Sequence, residues 1–153
     1  MENQIDINSE DIKKVSAEVL DHMMNPRNYG VMEDSTAIGK AIIIQRNEFV
    51  MIYIKVKDGI LENITFGMDG NQDTSVAGSI FTEMVKGDTL ENAIESLRKM
   101  TLQISTAPKN QQIMQGLVLS AFRAAIVNME NKAKGIKEDM CVIEVEDEYE
   151  KPE

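Results

Sequence analysis

The stretch Phe49-Val50-Met51-Ile52-Tyr53-Ile54-Lys55-Val56-Lys57-Asp58-Gly59-Ile60-Leu61-Glu62-Asn63-Ile64-Thr65-Phe66 decides the fold. Successive side chains of a strand point to opposite faces, so Val50, Ile52, Ile54 and Val56 share one face, and Phe49, Met51, Tyr53, Lys55 and Lys57 the other. Asp58-Gly59 is a two-residue turn of the kind that suits a right-twisted hairpin. Ile60, Ile64 and Phe66 are expected to carry the apolar face back along the returning strand. An isoleucine-rich segment at 36–45 is expected to pair on the other side, completing a three-stranded antiparallel meander.

Upstream, Asn8 or Ser9 would cap a helix whose apolar stripe is Ile12, Val15, Val19 and Met23. That helix must stop near Asn25, because Pro26 pushes its predecessor out of the α region. A loop at 26–35 follows, with Gly30 available for a positive φ. Downstream of the hairpin, Gly67-Met68-Asp69-Gly70-Asn71-Gln72-Asp73 reads as a turn-rich loop feeding a helix at about Thr74, with Asp73 as its N-cap. Val76, Ala77, Ile80, Phe81 and Met84 are expected on its buried side, and Lys86 and Gly87 at its end. Asp88-Thr89-Leu90-Glu91 opens another helix, with Leu90, Ala93, Ile94 and Leu97 inward. After a loop at 105–110, a long helix at 111–129 carries two adjacent stripes, Ile113-Leu117-Ala121 and Met114-Val118-Phe122, wide enough to lie on a sheet and touch a second helix. The expected fold is therefore α+β: an antiparallel three-stranded meander packed on one face by helices. Residues 1–131 read as one domain and 132–153 as an acidic C-terminal tail, in which Cys141-Val142-Ile143-Glu144-Val145 forms a short edge strand.

The 153 residues are 42% hydrophobic and 27% charged, the balance of a folded soluble chain rather than a disordered one. Lys and Arg number 16 against 26 Asp and Glu, a formal charge of −10, which argues against nucleic acid and against an anionic membrane surface. No apolar run is long enough to span a bilayer, and the first ten residues are polar and acidic, so a cytoplasmic location is expected. The single cysteine, Cys141, cannot form an internal disulfide or, by itself, a thiolate metal site. With no Trp, the eleven Met residues must supply part of the core volume.

His22 is the sole histidine and sits one turn before a helix end, where capping or packing is the better reading than catalysis. Gly67-Met68-Asp69-Gly70 lacks the Lys-Ser or Lys-Thr that completes a phosphate-binding loop. Asp69-Gly70-Asn71-Gln72-Asp73 has the polar density for a hard cation, but not the alternating ligands and closing Glu of a calcium loop. A turn plus a helix cap explains it better.

Asp21-His22-Met23-Met24-Asn25-Pro26-Arg27-Asn28-Tyr29-Gly30 resembles the opening signature of the NifU/IscU-type iron–sulfur cluster scaffold proteins, Asp-His, two residues, then Asn-Pro-Arg-Asn-x-Gly. Residues 52–66 resemble that family's central hairpin. Thr82-Glu83-Met84-Val85-Lys86-Gly87-Asp88-Thr89-Leu90 resembles its Thr-Glu-x-Val-Lys-Gly-Lys-Thr/Ser-Leu segment, and Ala124-Ala125-Ile126 matches the end of its last long helix. The resemblance runs in order from about residue 15 to 129.

That resemblance implies a nascent iron–sulfur cluster, or iron or zinc, held by three cysteines with help from an Asp and sometimes a His. Matched without gaps, the first cysteine position falls on Arg46, the assisting acid on Glu48, the second cysteine on Asn71 and the third on Met114, preceded by Ile113 where the family has His. The family's Leu-Pro-Pro-Val-Lys chaperone-binding segment becomes Ala107-Pro108-Lys109-Asn110-Gln111. Clusters are held almost entirely by cysteine sulfur, whereas an arginine cannot ligate, an asparagine is a weak neutral donor and a thioether carries no charge to offset iron. No cluster or metal is expected at these positions. The first functional reading is an accessory or regulatory interaction protein of iron–sulfur cluster assembly, not an enzyme, meeting a cysteine desulfurase or other assembly proteins. The second is a working scaffold or iron-binding protein with Glu48, Asp69 or Asp73 as substitute ligands. The third, an unrelated enzyme on the same fold, has no catalytic constellation behind it. Homo-oligomerisation stays open.

Overall fold

A computed structural model describes residues 9–146, and of residues 9–16 and 110 the backbone alone. Helix α1 spans Ser9–Met24 and ends ahead of Pro26 as the sequence requires. The expected cap at Asn8 and the inward Ile12 and Val15 lie outside the described residues and side chains; Val19, placed in the same stripe, is 38% exposed. Strands β1 (Ala37–Ile43), β2 (Glu48–Lys57) and β3 (Ile60–Asp69) form the expected meander. Asp58 and Gly59 turn the β2–β3 hairpin with φ of 53° and 78°, the two positive values this turn demands.

Helices α2 (Gln72–Val85), α3 (Leu90–Ile104) and α4 (Lys109–Ala133) follow, and then strand β4 (Cys141–Glu144). β4 pairs with β1 in parallel, so the sheet has four strands in the order β3-β2-β1-β4 and is mixed rather than a pure meander. The expected boundary after residue 131 falls inside α4, and part of the segment beyond it belongs to the sheet.

One face of the sheet builds the core. Ala37, Ala41, Ile43, Val50, Ile52, Ile54, Leu61, Ile64 and Phe66 are buried against Phe81, Val85, Leu117, Val118, Ala121 and Phe122 of the helices. The rings of Phe81 and Phe122 meet edge to face with centroids 5.1 Å apart. Met32 is buried and Met68, Met100 and Met129 pack against this core, so methionine does fill volume here. Gly39 is required by α4: a Cβ there would stand 2.1 Å from the Ala125 nitrogen and 2.2 Å from the Ala121 oxygen.

Three expectations about β3 and α2 need correction. The returning strand buries Leu61, not Ile60, because a bulge between Lys55 and Val56 opposes Lys55 to Asn63 and Val56 to Leu61 and so inverts the parity of the first residues of β3. Helix α2 is capped by Asn71, not Asp73, and begins two residues earlier than Thr74. Its buried side is Thr74, Val76, Gly78, Ser79, Phe81, Thr82 and Val85, which leaves Ile80 (38%) and Met84 (48%) exposed. Gly78 faces the Phe66 ring at a distance where no Cβ fits.

Candidate functional site

Strand register brings Arg46, Glu48 and Asn71 to one end of the sheet. Ile43 pairs with Glu48, and the residues between them make a tight 3-10 turn, Ile44–Arg46, closed by Asn47 at φ 56°. Arg46 is half-buried in that turn. Phe49 pairs with Asp69, which brings the end of β3 and the start of α2 beside Glu48. The Glu48 side chain lies against Gly70, whose added Cβ would be 3.4 Å from the Glu48 Cγ. Asn71 follows at the N-cap of α2: its Oδ1 accepts from the Thr74 backbone N–H at 3.1 Å, with the Thr74 hydroxyl at 3.4 Å. Its side chain thus serves the helix terminus.

Ile113 and Met114 lie near the start of α4, in the helix layer. α4 runs antiparallel to β1, with Asn128 at Ile38 and Ala121 and Ala125 at Gly39, so its first turns lie toward the Ile43 end. α2 runs alongside α4 in the same sense, Ala77 sharing a groove with Gln115 and Val118, and Phe81 meeting Phe122. Ile113 is packed against the core and Met114 is half-buried. Asp69 and Asp73 are exposed. Among the described residues, no three His, Cys, Asp or Glu side chains come together as a group that could hold a metal ion.

Cys141 is elsewhere. It begins β4 opposite Gly39, four residues along β1 from Ile43, or about 13 Å at strand rise. Burial, and then the Glu138 carboxylate, push its thiol above the ordinary cysteine range, which disfavours the thiolate.

The Asp21 to Gly30 segment is the second feature, and it is architectural. His22 is buried, its Nδ1 2.7 Å from the Ser79 hydroxyl, with Nε2 3.8 Å from Glu83. The Ser79 oxygen also accepts from the Arg27 backbone N–H at 2.8 Å. The Arg27 guanidinium pairs with Asp21 and holds its carboxyl below the ordinary aspartate range. Asn28, at φ 61°, donates through its amide to Thr82 Oγ1 at 3.1 Å, while its carbonyl accepts from the Phe66 N–H at 2.9 Å. Gly30, at φ 138°, donates to the Phe66 carbonyl, and Tyr29 stacks edge-on to the Phe66 ring at 5.1 Å. His22, Arg27 and Asn28 thus tie the end of α1 to α2, and Asn28, Tyr29 and Gly30 tie the loop to β3, while Asp21 and Asn25 brace the loop from within. The packing reading of His22 fits this geometry.

A third feature escaped the sequence reading. Asn128 is fully buried; its Oδ1 accepts the Ile38 N–H at 3.0 Å, and its amide donates to the Glu138 carbonyl at 3.2 Å and carboxylate at 2.9 Å. It replaces the strand partner that Ile38 lacks, since β4 begins opposite Gly39. The available signal was a polar residue flanked by Val127 and Met129 on an apolar helix.

Residues 14–135 match the family of NifU-like N-terminal domains. The chain is 36% identical over 114 residues to iron-sulfur cluster assembly scaffold protein IscU 1 of Archaeoglobus fulgidus, a match covering 74% of each chain. It is 27% identical over 138 residues, 88% of each chain, to the IscU scaffold protein of Aquifex aeolicus. The N-terminal NifU-like protein of Brucella abortus has the same fold at 18% identity, with a TM-score of 0.60 over 75% of this chain and 93% of that one. A putative scaffold protein for the SUF system of Fervidobacterium islandicum gives 0.59 at 13% identity over 69% and 91%. No described helix is long and apolar enough to cross a membrane. With the signature loop, the hairpin and the helix order all in place, the chain belongs to the NifU-like N-terminal domain family of iron–sulfur cluster assembly scaffolds.

Proposed function

We propose that this chain is an accessory interaction protein of iron–sulfur cluster assembly: a scaffold fold that carries no cluster and catalyses no reaction, acting in the cytoplasm on a cysteine desulfurase or another assembly protein. The observation that carries the reading is the chemistry of the gathered positions. Where the family resemblance implies three thiolates, the chain has Arg46, Asn71 and Met114, and its one cysteine lies at the start of β4, opposite Gly39, where burial disfavours the thiolate. Asn71 is engaged as a helix cap, and at Arg46 a guanidinium, which cannot ligate iron, stands where the resemblance implies the first cysteine. The signature loop is intact and joins α1, α2 and β3, which supports a role that keeps the fold without the donor set.

Anaerobic incubation with ferrous iron and sulfide, followed by absorption spectroscopy and metal analysis after desalting, tests this directly. A colourless protein that co-elutes with a cysteine desulfurase is expected. Glu48 leans against Gly70, which lies between Asp69 at the end of β3 and Asp73 in the first turn of α2, and this supports the alternative of a carboxylate iron site. Retained iron that is lost on Glu48→Gln would select that alternative, and sulfide retained in proportion to iron would refute the accessory role.

A further inference from the structure

A groove lies between α3 and α4 on the half of α4 away from the ligand positions, with a volume of about 370 Å³. Its floor is Leu97 and Ile126, both buried, with Ile94 and Val127 beside them. Leu102 stands on its lip, 69% exposed. Arg123 reaches across to Thr101 at one end, while Ile94 and Glu130 line the other, so the two helices run antiparallel and the groove has a positive and a negative end.

The charges are placed against the trend of the chain. The protein carries ten more acidic than basic residues, yet the walls of this groove present two guanidiniums, Arg98 and Arg123, to the single carboxylate of Glu130. Arg98 is engaged by Glu95 at 3.1 Å, an exposed pair of the sort that exchanges partners at small cost. Among the described residues Arg123 meets a hydroxyl, Thr101 Oγ1 at 3.5 Å, and no carboxylate. A bare apolar trough would accept any amphipathic segment; these arginines select for sign and direction.

We propose that this groove docks an acidic amphipathic helix of a partner protein. Its apolar row lies on Leu97, Ile126 and Leu102, its carboxylates meet Arg98 and Arg123, and its basic end points to Glu130. A helix set between two antiparallel helices seats side chains at i, i+4 and i+7 into such a floor. The chain's net negative charge disfavours the same partner away from these arginines. The site is at the opposite end of α4 from Met114 and is present whether or not the molecule carries a cluster, so its test is separate from reconstitution.

The probe is a fluorescein-labelled 15-residue helical peptide of net negative charge, with Glu residues in its first two turns, Leu at i, i+4 and i+7, and one Lys in its last turn, titrated with the full chain at low salt. The control peptide has its Glu and Lys exchanged. Arg123→Glu and Leu102→Asp alter exposed positions, and circular dichroism verifies that both variants fold. Each is expected to weaken binding by about tenfold or more, and the exchanged peptide to bind at least as weakly. Equal binding of both peptides, or unchanged affinity in both variants, overturns the proposal. So does displacement of the peptide by dodecanoate at equal concentration, which assigns the groove to a small anionic amphiphile. A sedimentation dimer abolished by Arg123→Glu also overturns it, in favour of a second copy of this chain.

Discussion

Replacing Asn128 by alanine removes a buried carboxamide that bridges β1, α4 and the segment leading into β4. The Ile38 N–H loses its acceptor, and an unsatisfied backbone donor costs about 1–3 kcal/mol; the lost bond to the Glu138 carbonyl adds roughly 1 kcal/mol. Asn131 still donates to the Glu138 carboxylate at 3.1 Å, so that oxygen keeps one partner. The sum is about 2–4 kcal/mol, which for a chain of this size lowers Tm by roughly 4–15 °C. Thermal and urea unfolding read the total, and amide hydrogen exchange localises it: protection should fall in β4 and at Ile38 before it falls in the β2–β3 hairpin. Asn128→Asp serves as the contrast, because it keeps an acceptor for Ile38 but puts a second carboxylate beside Glu138, so its deficit should shrink on acidification. A loss below about 0.5 kcal/mol in Asn128→Ala, or unchanged exchange in β4, would show that the bridge holds nothing and refute the reasoning.

Gly39→Ala forces a Cβ into the backbone of α4 and should cost about 3 kcal/mol or more, read as a fall in the urea midpoint or as insoluble protein. Asn71→Ala should cost about 1 kcal/mol by loss of the α2 cap, whereas Asp73→Ala should change the midpoint far less. Asp21 and Glu138 both ionise more readily in the folded chain than at their ordinary values of 3.8 and 4.5, because of hydrogen bonds from Arg27 and Asn25, and from Asn128 and Asn131. Their stabilisation is complete above those values and is lost as pH falls through the lower folded ones, so stability should drop below about pH 4.5, and less steeply in Glu138→Gln. Cys141 shifts the other way: its thiol should react slowly with iodoacetamide at pH 8 compared with unfolded protein, and faster in Glu138→Gln; equal rates would contradict its burial.

The meander was legible because alternation and the Asp58-Gly59 turn are local signals, and the helices because their stripes and stops are local too. What the sequence hid was non-local or a matter of one residue. Cys141 to Val145 read as a strand, but nothing in that segment says that it pairs with β1 in parallel. A single extra residue in β3 exchanged Ile60 for Leu61, since side-chain parity inverts across a bulge. Asn71 and Asp73 are both good caps two positions apart before the same apolar run, and only the observed bond to Thr74 separates them. The gathering of Arg46, Glu48 and Asn71 at one sheet end follows from hairpin register, which the pattern of residues 42–69 nearly dictates. The role of Asn128 required knowing where β4 starts.

The parallel pairing of β4 also dictates an order of assembly. β2 and β3 close over two residues, whereas Gly39 and Cys141 come together across about a hundred positions of chain, the kind of contact that forms after the rest because its loop closure costs the most entropy. The meander and its helices can therefore condense first, and a four-residue strand is left to dock on a finished edge. During synthesis the same sequence applies, because β4 is the last described element to emerge. An element that docks last in this way is expected to open before the core does, which hydrogen exchange in β4 would register as protection below that of the β2–β3 hairpin. Cys141 opens that strand and is partly exposed, so oxidation of the chain's single thiol is expected to follow the opening of β4 and not global unfolding.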